Sequence, residues 1–147
     1  MDVGCGDFNW MKEVALPVTY LGIDIVEDVI SQNIADYSSS SVAFECLDAV
    51  TGPLPKGFDV VLCREILFHL SFGDCKKVLQ NIEGSGAKYL LATTTCSIEN
   101  DRDIVSGCFR SMNLQKAQFA FPEPQITLDD SAVSEGRQIG LWRFSDI

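Results

Sequence analysis

Asp2-Val3-Gly4-Cys5-Gly6-Asp7-Phe8 opens the chain, and the rest of the sequence is organised around it. Two glycines at i, i+2 directly after a short apolar segment predict a strand running into a sharp turn. Glycine adopts positive φ and carries no side chain, so a ligand can lie against bare backbone there. Phe8 to Leu16 can follow as a helix whose first turn would aim free N–H groups at the same spot. A G-x-G alone is common in turns. It gains weight from Asp24, which ends the next apolar run, Tyr20-Leu21-Gly22-Ile23, 18 residues after Gly6. In nucleotide-binding α/β folds a carboxylate about 20 residues beyond the glycines accepts hydrogen bonds from ribose hydroxyls. The structural alternative for Asp24 is to cap a helix beginning at Val26, a position that aspartate favours.

Outward from that stretch, periodicity assigns the remaining elements. Thr19 to Ile25 reads as a strand, and Val26, Val29, Ile30, Ile34 and Tyr37 form a helical stripe that Ser38-Ser39-Ser40-Ser41 breaks. Val42 to Leu47 is a third strand, ending at Asp48. Phe58 to Cys63 is a near-continuous apolar run, as a central parallel strand covered on both faces requires. Val60, Val61 and Leu62 are therefore expected to be fully buried. Ser71-x-x-Asp74 resembles a capping box ahead of the stripe Cys75, Val78, Leu79 and Ile82, which Gly84 and Gly86 stop. Lys88 to Thr94 is a fifth strand. Ile104, Val105, Cys108, Phe109 and Met112 suggest a helical face, with Gly107 in its middle. Gln125 to Asp129 and Arg137 to Phe144 then predict an antiparallel hairpin. Phe119, Phe121 and Trp142 are read as core rather than as an aromatic rim. The expectation is one α/β domain over residues 1–147, with a Rossmann-like, mostly parallel sheet, helices on both faces and a C-terminal antiparallel hairpin.

Composition narrows the function. An apolar fraction of 46% and a charged fraction of 22% are ordinary for a globular domain. The net charge of −10 opposes binding to nucleic acid, since a phosphate backbone would be repelled. No apolar run approaches a membrane span and no basic leader precedes one, so no membrane partner and a cytoplasmic location are expected. Six cysteines lack any C-x-x-C spacing and the chain has one histidine, so no metal site is expected. The thiols are read as buried structural groups.

Five strands with Gly-x-Gly after the first, an acid after the second, Asp after the third and a terminal hairpin resemble the class I S-adenosylmethionine-dependent methyltransferase family. The markers are Asp2-Val3-Gly4-Cys5-Gly6, Gly22-Ile23-Asp24, Leu47-Asp48-Ala49 and Phe58-Asp59-Val60-Val61-Leu62-Cys63-Arg64, and the resemblance spans essentially the whole chain. The stretches Arg64 to Leu70, Tyr89 to Thr95 and Gly140-Leu141-Trp142 resemble a bacterial-type subgroup. The resemblance implies S-adenosyl-L-methionine as cofactor, held by Asp2, Gly4, Cys5 and Gly6, with both glycines admitting its methionine part. It implies ribose binding by Asp24, adenine packing on Ile25, acceptance from the adenine amine by Asp48 with Ala49 beside it, and Cys63 and Arg64 beside the methyl group. Where the family usually has a third glycine, this chain has Phe8.

Glu65 and His69, at i, i+4 beyond the fourth strand, are the candidate catalytic pair, with His69 able to act as a general base. Its alternative is a packed core histidine. The motif of enzymes that methylate exocyclic base nitrogens is absent, since Cys63-Arg64-Glu65-Ile66 occupies its place. A small-molecule or protein acceptor is therefore expected, with transfer by in-line displacement. The dinucleotide alternative fails because G-x-G-x-x-G would need glycine where Asn9 stands. The motif begins one residue after Met1, so an N-terminally truncated sheet with a short central strand is expected. That points to two further expectations: a homo-oligomer covering the gap, or a non-catalytic binding or regulatory module of the same fold.

Overall fold

The computed structural model describes residues 1–15 and 17–147. Seven strands form one sheet: β1 Asp2–Val3, β2 Tyr20–Asp24, β3 Val42–Cys46, β4 Val60–Cys63, β5 Tyr89–Thr95, β6 Ile126–Asp129 and β7 Arg137–Arg143. Their spatial order is β3-β2-β1-β4-β5-β7-β6. The first five are parallel, and β7 runs antiparallel between β5 and β6. The chain winds one way from β1 to β3 and the other way from β4, which makes the β1/β4 junction the switch point where open α/β sheets bind ligands. The Rossmann-like, mixed and mostly parallel sheet is as expected.

Two helices cover opposite faces. Helix α1, Glu27–Tyr37, buries Ile30 against Tyr20, Phe44 and Leu62. Helix α2, Phe72–Gly84, buries Cys75, Val78 and Ile82 against Ile23, Val61, Cys63 and Leu90. Strand side chains alternate between faces, which is why neighbours such as Val61 and Leu62 join different clusters. Ser71 caps α2, its hydroxyl accepting from the Asp74 amide at 3.1 Å. Trp142 lies fully in the core beside Phe121, with Nε1–H donating to the Pro122 carbonyl at 2.8 Å.

Several expectations need correction. Val61 and Leu62 are buried, but Val60 is 42% exposed. It points to the α1 side, and among the described residues no helix covers that side over β4 to β6. Ile126 and Leu128 stand 55% and 51% exposed along the same face. Residues 104–112 are not helical. Their segment is tied down by long-range bonds instead: Asp103 accepts from the Phe72 amide, and the Gly107 and Arg110 amides donate to His69 and Phe68 carbonyls. Gly107 sits at φ 98°, which a helix does not accommodate.

Nor does a helix follow Phe8; the chain makes only a 3-10 turn over Met11–Glu13, and Leu16, the expected end of that helix, lies outside the described residues. Phe8 itself is buried, with ring centroids 5.2, 5.3 and 5.1 Å from Tyr20, Tyr37 and Phe44. That aromatic anchor holds it at φ 58°, the conformation for which a glycine is the usual choice. Of the cysteines only Cys5, Cys63 and Cys75 are buried; Cys46 lies on the edge strand β3, and Cys96 and Cys108 lie in loops. All six are free thiols.

Strand β1 is short, as expected. It pairs with Gly22 and Ile23 on one side and Leu62 on the other, leaving Tyr20 and Leu21 without a partner in β1.

Candidate functional site

A cavity of about 740 Å³ opens at the carboxyl ends of the parallel strands. Gly4, Asp24, Ile25, Asp48 and Ala49 line one side of it. Arg64, Glu65, Ile66, His69, Asp74 and Gly107 line the other. Of the sequence-derived site residues, Asp2, Cys5, Gly6 and Cys63 are not on its wall.

The glycine turn is built from committed backbone groups. Gly4 and Gly6 adopt φ 77° and 55°. The amides of Gly4 and Cys5 both donate to the Ile23 carbonyl, at 2.8 and 3.0 Å. The Gly6 amide donates to Asp24 Oδ2 at 3.0 Å, and the Val26 amide to Asp24 Oδ1 at 3.1 Å. Asp24 thus ties the turn to the start of α1, while each carboxylate oxygen keeps a lone pair free for a ligand hydroxyl. A Cβ placed on Gly4 would lie 3.1 Å from Ile66 Cβ. Gly4→Ala is therefore expected to destabilise by about 1–2 kcal/mol through the left-handed backbone alone, with added crowding at Ile66. A thermal melt indistinguishable from the parent would contradict this.

Asp48 and Ala49 are set by a small network. Asp48 Oδ1 accepts from the Val50 amide at 2.8 Å, and Asn81 donates to the Ala49 and Val50 carbonyls at 2.9 and 3.2 Å.

Beneath the turn, the Asp2 carboxylate is buried and accepts from the Tyr20 hydroxyl at 2.7 Å. Burial pushes its carboxyl up to about 6; the Tyr20 bond, the Met1 amine and Arg64 oppose that rise, and Asp24 adds to it. Cys5 is pushed up to about 12 by burial and by the carboxylates of Asp2 and Asp24, and buried Cys63 is raised well above an ordinary thiol. Neither thiol is a nucleophile at neutral pH.

At the end of β4 the geometry departs from a simple i, i+4 pair. Glu65 precedes the 3-10 turn Ile66–His69 at φ 72°, its amide donating to Thr93 Oγ1 at 3.1 Å. The Arg137 guanidinium grips its carboxylate with both Nη groups, one at 3.0 Å from Oε2, while Arg137 Nε donates to Asp130 Oδ2 at 2.7 Å. His69 points elsewhere: Nδ1 lies 3.1 Å from the Cys108 carbonyl and the ring packs on Phe109 at 5.4 Å. A carbonyl only accepts, so Nδ1 carries the hydrogen and Nε2 of the neutral ring keeps its lone pair. Glu65 and His69 share the cavity wall but are not partners. Arg137 and Asp130 were not read from the sequence as site residues; the one available signal was an arginine opening a strand whose middle, Ile139 to Trp142, is apolar.

A switch-point cavity bounded by a glycine turn, an acid at the end of β2 and a second acid after β3 defines a nucleotide-cofactor α/β domain of the class I methyltransferase architecture. The chain belongs to the family described as "Methyltransferase domain", whose model matches residues 1–129. Solved structures of the same fold include human N-acetylserotonin methyltransferase in complex with SAM, at 17% identity over 97% of this chain and 46% of that one, TM-score 0.68. N-methyltransferase NodS from Bradyrhizobium japonicum WM9, in complex with S-adenosyl-L-homocysteine, is 14% identical over 97% of this chain and 75% of that one, TM-score 0.67. The [4+2]-cyclase SpnF is 21% identical over 63% of this chain and 37% of that one, TM-score 0.53. The chain thus spans less than half the length of both the cyclase and the human enzyme. No curated protein matches it in sequence. Among the described residues no helix is long and apolar enough to cross a membrane, and no cluster of side chains could hold a metal.

Proposed function

We propose that this protein transfers a methyl group from S-adenosyl-L-methionine to a small-molecule or protein acceptor. The observation that carries the reading is the convergence of Gly4, Asp24, Asp48 and Arg64 on one cavity at the sheet's switch point. The cofactor, when bound, supplies an activated methyl group. The chain's residues do the rest. Asp24 would accept from the ribose hydroxyls, Asp48 from the adenine amine, with Ile25 and Ala49 against the ring. Gly4, on the cavity wall, would admit the methionine part, with Gly6 shaping the turn behind it. His69 is oriented to take a proton at Nε2 from an acceptor, and Glu65, fixed by Arg137, to orient that acceptor. In-line transfer needs alignment and exclusion of water, which together contribute about 7–11 kcal/mol. The net charge of −10 disfavours nucleic acid as acceptor. Six free thiols favour the cytoplasm as its location.

Calorimetric titration with S-adenosylhomocysteine tests this directly. Asp24→Ala removes two charge-assisted hydrogen bonds of about 1.5–3 kcal/mol each, so affinity is expected to fall at least tenfold. Asp24→Asn, which keeps an acceptor for the Gly6 amide, separates lost ribose contacts from a loosened turn. Unchanged affinity in Asp24→Ala would sink the assignment.

A second reading, a binding or regulatory module without transfer, draws support from the fold's use by a cyclase. Saturable binding with no transfer to any of a panel of amine, hydroxyl and carboxyl acceptors would favour it. The bare apolar face around Val60, Ile126 and Leu128 favours self-association. Sedimentation equilibrium should then give a mass above that of one chain.

A further inference from the structure

Anionic ligands at such sites are ordinarily met by free amides of the glycine turn and the helix after it. Here the amides of the glycine turn itself are committed. The Gly4, Cys5 and Gly6 amides bond to Ile23 and Asp24, the Asn9 amide to Asp7 Oδ1 at 3.1 Å, and the Lys12 amide to the Phe8 carbonyl. No regular helix starts there, only the turn Met11–Glu13.

The cavity wall carries four carboxylates, Asp24, Asp48, Glu65 and Asp74, and a single permanent cation, Arg64. Arg64 has donors to spare. Among the described residues its one ionic contact is Asp130 Oδ1 at 3.9 Å, beyond hydrogen-bond reach, and the other oxygen of that carboxylate is taken by Arg137. Among the described residues its guanidinium makes no hydrogen bond. Arg137 is fully engaged, and Lys12 lies 6.0 Å over the Tyr37 ring, off the cavity wall. The Arg64 guanidinium also stacks on the Trp10 ring at 4.9 Å, and its side chain is 27% exposed. It is a planar fork already oriented and partly desolvated, the state in which a guanidinium binds a carboxylate bidentately with least loss of freedom.

We propose that Arg64, braced by Trp10, is a carboxylate clamp that takes the α-carboxylate of the cofactor's amino-acid tail. This rests on the methyltransferase reading, and the test separates the two. S-Adenosylhomocysteine and 5′-methylthioadenosine share the nucleoside and the thioether, but only the first has the amino-acid tail. In calorimetry, Arg64→Met is expected to weaken S-adenosylhomocysteine at least tenfold and to leave methylthioadenosine unchanged. Trp10→Ala, which keeps the charge but frees the fork, should weaken the first several-fold and spare the second. If both ligands weaken equally, or if Arg64→Met binds S-adenosylhomocysteine like the parent, the clamp is overturned while the cofactor reading stands. If the parent protein binds neither ligand, both proposals fall. Should Arg64→Met not fold, Arg64→Lys keeps the charge without the fork, and retention of the parent's full preference for S-adenosylhomocysteine would overturn the clamp.

Discussion

Replacing Asp2 by Asn is expected to raise stability at pH 7.5 and to leave it unchanged at pH 4. Asp2 is 3% exposed, on the central strand, with the Tyr20 hydroxyl as its hydrogen-bonded partner. Its carboxyl is pushed up to about 6 from an ordinary 3.8, burial being the dominant cause. The folded state therefore holds the proton more tightly than the unfolded chain does. The sign follows from linkage: this group's contribution is fully present below about pH 4 and is lost as pH rises to about 6. Above that range the ionised carboxylate costs about 3 kcal/mol. Asparagine keeps an acceptor for Tyr20 and removes the buried charge. At about 2–4 °C per kcal/mol for a domain of this size, the melting temperature should rise by several degrees at pH 7.5. Parallel melting curves of parent and Asp2→Asn across pH 4–8 would show that burial of this charge is not what limits stability.

The second large effect is expected at Arg137, where the change runs the other way. Its side chain is 6% exposed and bridges Glu65 and Asp130, residues 72 and seven positions away. Arg137→Met leaves the two carboxylates facing an apolar stub, and breaking a buried ionic group this way costs about 3–5 kcal/mol. Urea denaturation should show that loss, and adding Glu65→Gln should recover part of it by removing one uncompensated charge. A cost below about 1 kcal/mol would mean that water compensates both acids and that the triad is effectively exposed.

The two substitutions mark where sequence reading succeeds and where it stops. The parallel strands were legible because burial on both faces selects continuous apolar runs, as in Val61-Leu62-Cys63, and α1 and α2 because one buried face imposes a helical period. The hairpin was legible from two apolar segments around a polar turn. Gly4, Asp24 and Asp48 were legible as a spacing, since each sits where a strand ends and the chain must turn. The helix expected after Phe8 did not form because Phe8 itself is drawn into a ring cluster with Tyr20, Tyr37 and Phe44. The stripe from Ile104 to Met112 failed because capping and carbonyl bonds to the α2 entrance outcompete local helical bonds.

By itself the sequence determined the order of the strands and the strand–turn–strand spacing that sets Asp24, Asp48 and a glycine turn at one end of the sheet. Tertiary structure alone decided which donors remain free. Whether an amide, a guanidinium or an imidazole nitrogen can meet a ligand depends on partners far away in the chain: Ile23 for the glycine turn, Asp130 for the two arginines, Cys108 for His69. Those pairings form between segments that carry no local pattern for one another, because hydrogen bonds and ion pairs answer to distance in space and not to spacing along the chain.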